Sequence, residues 1–231
     1  MKKTKGGDGR RGLTVRVKTA RGRKNSSTKW LQRQLNDPYV LKAKQDGYRS
    51  RAAYKLIEMD DKFKFLKPGK KVLDMGAAPG GWTQIAAERV KSKPEKPSVL
   101  GFDLLTFDPI AGADTMQLDF MDGAAPDIIR ERLGGPVDVV LSDMAPNTTG
   151  HTATDHLRIM VLLETAYPFA CEVLNKGGAF IAKVFQGGTE KELLMAMKKD
   201  FAVVKHAKPN ASRKDSAETY VVATGFKGKS G

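Results

Sequence analysis

From about Lys70 to Phe226 the chain alternates short apolar runs with longer amphipathic stretches, and that rhythm constrains the fold more than any other feature. The strand candidates are KVLDMG (around 70–75), SVLGFD (98–103), ADTMQLD (113–119), VDVVLSD (137–143), GAFIAKVFQ (178–186), FAVVKHA (201–207) and TYVVATGF (219–226). Helical patterns run from Trp82 to Val90, from His156 to Leu174 with a kink expected at Pro168, and from Glu190 to Lys199. Strands alternating with helices predict an α/β fold: a mostly parallel sheet covered by helices on both faces. The last two strands are joined by PNASRKDSAE, which has no helical period, so they should form a hairpin-like antiparallel pair that closes the sheet. The 231 residues suffice for one large domain, and no internal repeat is visible.

Upstream, the pattern is different. Residues 1–55 hold 17 Lys/Arg against three acids, whereas the rest of the chain is balanced at 23 of each. All of the formal net charge of +14 therefore sits at one end. Residues 1–28 are basic and Gly/Ser/Thr-rich and read as a disordered arm, leaving 29–231 as a single domain. Such an arm is either merely solvated or an electrostatic footprint for a polyanion; the steep asymmetry favours nucleic acid. Within 29–69, a helical segment is expected. Asp37-Pro38 opens one helix that Gly47 ends, and Ser50 should cap a second over RAAYKLIEMDDKF.

No apolar run approaches membrane-spanning length and no apolar leader is present, so no membrane partner is expected. The scarcity of acids in the arm leaves a mitochondrial address as an alternative to the cytoplasm. Cys171 lies in an apolar helical pattern and reads as core. The three histidines are scattered, with no metal-ligand spacing, so no metal is expected.

The segment VLDMGAAPGGW runs from a strand through glycines into a helix. Glycines there let the backbone approach a ligand at the carboxyl edge of the sheet. The spacing is neither G-x-G-x-x-G nor a phosphate loop, which disfavours dinucleotides and nucleoside triphosphates. Asp74, Asp103, Asp119 and Asp143 end four consecutive strand candidates. Polar residues commonly close strands, but four in series suggest an acid-lined pocket. A cationic nucleoside such as S-adenosylmethionine suits it, with Asp103 placed for ribose hydroxyls and Asp119 for a base amino group. Lys183 lies amid the apolar run GGAFIAKVFQGG. A buried ammonium is costly unless paired, so Lys183 either snorkels from an edge strand or serves a site.

LDMGAAPGGWTQ, GFDLL, LSDMAPN, GGAFIAKVFQG and ETYVVATG, with SRAAYKL upstream, together resemble the FtsJ/RlmE (RrmJ) ribosomal RNA large-subunit methyltransferases, over about Trp30 to Gly225. Met75 stands where a leucine is more usual. The resemblance implies a Rossmann-like S-adenosylmethionine-dependent methyltransferase fold, seven strands with the last antiparallel. It implies methylation of a uridine ribose 2′-hydroxyl in large-subunit ribosomal RNA, by a monomer in the bacterial cytoplasm acting on the large ribosomal subunit or its precursor. The family's catalytic Lys-Asp-Lys-Glu tetrad falls on Lys55, Asp143, Lys183 and Glu218. Its cofactor contacts fall on Gly80, Trp82, Asp103, Asp119 and Asp143.

A ribose hydroxyl is a poor nucleophile until its proton is drawn off or oriented, and placement at near-attack distance supplies much of the acceleration. For Lys183 to act as a base near neutrality, its proton affinity must fall from a reference of about 10.4 by roughly three pH units, about 4 kcal/mol. Burial and the Lys55 cation push that way, while Asp143 and Glu218 oppose it and so orient the lysine. Ser50 and Arg51 could touch phosphates. Transfer RNA or an mRNA cap are alternative substrates, although few aromatics are available for cap stacking. A non-catalytic RNA-binding assembly factor is a third reading, opposed by the intact tetrad. Deleting residues 1–28 should weaken RNA binding and flatten its salt dependence; an unchanged salt slope would show that the arm makes no phosphate contact.

Overall fold

A computed structural model describes residues 17, 25–146, 152–185, 191–213 and 216–228. Three helices come first: α1 (Asn25–Leu35), α2 (Pro38–Gln45) and α3 (Ala52–Phe63). Then follow β1 (Val72–Met75), α4 (Gly81–Val90), β2 (Val99–Asp103), β3 (Ala113–Gln117), α5 (Ala125–Leu133) and β4 (Val137–Ser142). The chain continues through α6 (Thr152–Val173), β5 (Leu174–Phe185), α7 (Lys191–Asp200), β6 (Phe201–Ala207) and β7 (Glu218–Phe226). The seven strands form one sheet in the order β3-β2-β1-β4-β5-β7-β6. β7 runs antiparallel to both neighbours, and the pairings from β3 to β5 are parallel.

Period-two alternation divides the strand side chains between two cores. Leu73, Met75, Leu100, Phe102, Phe180 and Ala182 face the first, packed by α5, α6 and α7. Val72, Val99, Val139, Leu141, Ile181 and Val222 face the second, packed by α3 and α4. The result is a three-layer sandwich. Both faces being covered, β1 is buried along its whole length and β4 at every position but Asp138.

Several details depart from the sequence reading. α1 starts at Asn25, inside the stretch read as an arm; residues 1–16 and 18–24 lie outside the described residues. The antiparallel β6–β7 pair does close one margin of the sheet, but the later strand, β7, is the inner one, inserted between β5 and β6 so that β6 is the edge. β5 begins at Leu174, earlier than the apolar run suggests. Its pairing with β4 shifts register between Val137 and Val139. Gly178 permits this, because a Cβ there would meet the Asp138 carbonyl oxygen at 2.9 Å. α5 was not anticipated; its buried face is only Ala125, Ile129 and Leu133. Asp37 does cap α2, accepting from the Tyr39 amide at 3.0 Å with Pro38 next in line. Ser50 does not cap α3: Arg51 is the N-cap, without a side-chain bond, and the Ser50 hydroxyl is buried with no partner. Cys171 packs, partly buried, against the first core.

Asp74, near the end of β1, is fully buried and accepts from the Thr83 hydroxyl of α4 at 2.6 Å. Burial, against that hydrogen bond and with the Asp143 and Asp103 carboxylates nearby, pushes its carboxyl up to about 7 from 3.8. Below pH ~4 the folded and unfolded chains both hold this proton. Between about pH 4 and 7 only the folded chain keeps it, so the group's contribution to stability is lost as pH rises through that window and is flat above it. The loss is on the order of 4 kcal/mol at most. Asp74→Asn should remove this slope, which urea unfolding of both proteins from pH 4.5 to 8 would measure.

Candidate active site

The order β3-β2-β1-β4-β5 reverses direction between β1 and β4, so the loops leaving these neighbouring strands diverge and open a crevice above the sheet. The glycine loop forms one side. Gly76 and Ala77 donate their amides to the Phe102 carbonyl, both at 2.9 Å, and the Ala78 amide donates to Asp103 Oδ2 at 3.0 Å. Gly76 has φ +80°, and a Cβ there would lie 2.8 Å from the Met144 backbone. Only glycine lets the two loops come this close. The crevice holds a cavity of about 490 Å³ walled by Gly76, Asp103, Asp119, Met121, Met144 and, from α6, Arg158.

Asp103 and Asp119 thus both reach the cavity wall. Asp103 Oδ1 also takes the Leu105 amide at 2.8 Å, and Asp119 Oδ1 takes the Met121 amide at 2.9 Å. The series of four rim acids reduces to three. Asp74 lies below the loop because Met75, not Asp74, is the last residue of β1. Gly80 is the N-cap of α4 at φ +108°, where a Cβ would meet Ile110 and Arg49, and it is not among the residues that wall the cavity. Trp82 is 2% exposed; its Nε1 donates to the Ala52 carbonyl at 2.9 Å, and its ring sits 5.5 Å from that of Tyr220. The indole is therefore a strut between α3 and the sheet, not a wall of the cavity.

Asp143 follows β4 directly and joins the cavity through its neighbour Met144. The four residues of the tetrad come together here from four separate places in the chain. Lys183 lies on interior strand β5, on the face that α3 covers, with its side chain 9% exposed. It does not snorkel. Its Nζ donates to the Asp143 carbonyl at 2.8 Å and pairs with Asp143 Oδ1 at 2.9 Å. Lys55, reaching down from α3, holds both oxygens of Glu218, at 2.7 and 2.8 Å. Burial raises the Glu218 carboxyl, but the Lys55 and Lys183 ammonium groups and the Ser212 hydroxyl hold it below its usual value.

Two residues of this network were not singled out in the sequence. Tyr220 is fully buried, donates to Asp143 Oδ1 at 2.9 Å and accepts from Lys55 Nζ at 3.2 Å. Ser212 donates to Glu218 Oε1 at 2.9 Å. Alternation offered a signal for the first: Glu218 and Tyr220 are two apart on one strand and share a face. Nothing local marks Ser212. The phosphate role considered for Arg51 gives way, since its guanidinium bonds the Asp37 carboxylate at 2.5 Å and the Ala211 carbonyl. Among the described residues no group of three His, Cys, Asp or Glu side chains is placed to hold a metal ion, and no helix is long and apolar enough to cross a membrane. His151 and the Gln186-Gly187 end of the lysine motif lie outside the described residues.

Residues 48–226 match the family model of the FtsJ-like methyltransferases. The chain is 63% identical to a ribosomal RNA large subunit methyltransferase E from Paramagnetospirillum magneticum, across 96% of this chain and 92% of that one. It is 59% identical to the protein of the same name from Parvibaculum lavamentivorans, across 99% and 93%. A crystal structure from Plasmodium falciparum, described as a ribosomal RNA methyltransferase, is similar with a TM-score of 0.67. The identity there is 34%, covering 79% of this chain and all of that one. If the Gly76–Met144 approach shapes the cavity, Gly76→Ala should weaken S-adenosylmethionine binding at least ~10-fold and cost about 1–3 kcal/mol of stability. Calorimetric titration and thermal unfolding would read these two effects.

Proposed function

The chain belongs to the FtsJ-like methyltransferase family, and from that premise we propose that it methylates a ribose 2′-hydroxyl, on a uridine, in large-subunit ribosomal RNA. Its methyl donor is S-adenosylmethionine, and the residues present fit it. The cavity of about 490 Å³ is the right order for a nucleoside ligand, offers Asp103 and Asp119 as acceptors, and has apolar walls at Phe102, Leu118 and Phe120. Asp103 and Asp119 would hold the nucleoside, with the Gly76 backbone closing over it. When bound, the donor supplies an electrophilic methyl group on a sulfonium.

The observation that carries the reading is the pairing of a nearly buried lysine with the aspartate that adjoins this cavity. Lys183 is fixed by two Asp143 oxygens, so its ammonium or amine is presented in one orientation to a hydroxyl entering beside Met144. A preorganised group of this kind orients the nucleophile and steadies the charge that develops on it. Lys55 adds a second cation behind the first, locked by Glu218. The α1–α3 segment, with the basic arm before it, supplies the RNA-contacting side, because the excess positive charge of the whole chain resides in residues 1–55. The two relatives, both ribosomal RNA large subunit methyltransferases by name, support ribosomal RNA over transfer RNA or a cap. A monomer working in the bacterial cytoplasm on the assembling large subunit completes the proposal.

Lys183→Ala should abolish methyl transfer to large-subunit RNA while S-adenosylmethionine affinity stays within a few fold. Turnover retained in that variant, measured by incorporation of labelled methyl groups, would refute the assignment.

A further inference from the structure

The two lysines of the site do not touch the same carboxylate. Lys183 pairs with Asp143, and Lys55 pairs with Glu218. One group joins the halves: the Tyr220 hydroxyl donates to Asp143 Oδ1 at 2.9 Å and accepts from Lys55 Nζ at 3.2 Å. The same Asp143 oxygen receives Lys183. In the β5–β7 register Tyr220 lies directly opposite Lys183, so the sheet itself fixes the phenol beneath the lysine. The ring packs beside that of Trp82, 5.5 Å between centroids, and is fully buried. A buried phenol with a neutral role would need only one partner; this one has an anionic acceptor and a cationic donor in line.

Building on the methyl-transfer reading above, we propose that Tyr220 is a positioning residue for the reaction, whose hydroxyl locks Asp143 and Lys55 into one arrangement and thereby sets how firmly Asp143 holds Lys183. The charged groups facing the hydroxyl are Lys55 from α3, Asp143 after β4, Lys183 from β5 and Glu218 from β7. Burial, followed by the Asp143 and Glu218 carboxylates, raises the phenol well above its usual 10. Tyr220 thus stays protonated and donates throughout the working pH range. Without that donor, Asp143 Oδ1 keeps Lys183 alone among the described residues and binds its ammonium more tightly. Lys55 loses an acceptor and, among the described residues, keeps Glu218.

Tyr220→Phe removes one oxygen and retains the ring that packs against Trp82. Single-turnover methyl transfer should slow about tenfold at neutral pH, while S-adenosylmethionine Kd and RNA KM change less than about twofold. The limb on which the rate rises with pH should move about one unit to the alkaline side, the scale of one charge-assisted hydrogen bond. Placing 3-fluorotyrosine at position 220 restores a hydroxyl on a ring of nearly the same size and should return most of the rate. An unchanged rate and pH profile in Tyr220→Phe would overturn the proposal. So would a fluorotyrosine protein as slow as the Phe variant, or a rate loss matched by loss of cofactor affinity, since each points to the ring rather than the hydroxyl. Lys183→Ala assayed alongside separates this from the underlying reading: if that variant also turns over normally, the methyl-transfer site itself is misassigned.

Discussion

The site depends on one interaction, the capture of the Lys183 ammonium by the carbonyl and carboxylate of Asp143 inside the sheet crest. An ammonium taken out of water costs several kcal/mol unless its donors are met. β5 can carry a lysine in an otherwise apolar run only because β4 delivers Asp143 to the neighbouring position. The parallel β4–β5 register places Ser142 beside Ala182, so the next residue of each strand is brought together at the carboxyl edge. The fold therefore makes the pairing a consequence of strand order rather than of a flexible loop.

Around this pair the molecule builds outward in a fixed sequence. β7 runs antiparallel between β5 and β6, which brings Glu218 and Tyr220 back to the same edge and face as Lys183. α3 crosses that face and contributes Lys55, and it is held there by Trp82 of α4 and by the Arg51 bonds to Asp37 and to the Ala211 carbonyl. The brace from Arg51 ties the helical segment of the N-terminal side to the connection that precedes β7. A charged side chain that might have met a phosphate is instead part of the frame that holds Lys55 in place.

The cavity and the lysine network share a wall. Met144 lines the cavity, and Asp143 anchors Lys183. The close approach of Gly76 to Met144 couples the glycine loop to that same turn. A glycine motif and an acidic turn far apart in the chain are thereby brought into contact.

Much was legible from the chain itself. The order of the strands and of the helices other than α1 and α5, the sheet's seven members and the glycine loop follow from periodicity and turn chemistry, because those signals are local. The unusual cost of Lys183 was also visible, since an ammonium in an apolar strand demands a partner whatever its neighbours. What periodicity could not supply was the partner's identity, which depends on strand order and register. It also could not show that Asp74 sinks beneath the loop, that the Trp82 ring is a strut, that β7 inserts before the edge, or that Tyr220 and Ser212 join the network. Each of these rests on contacts between residues distant in sequence, where geometry arises only after the sheet has closed and two helices have packed upon it.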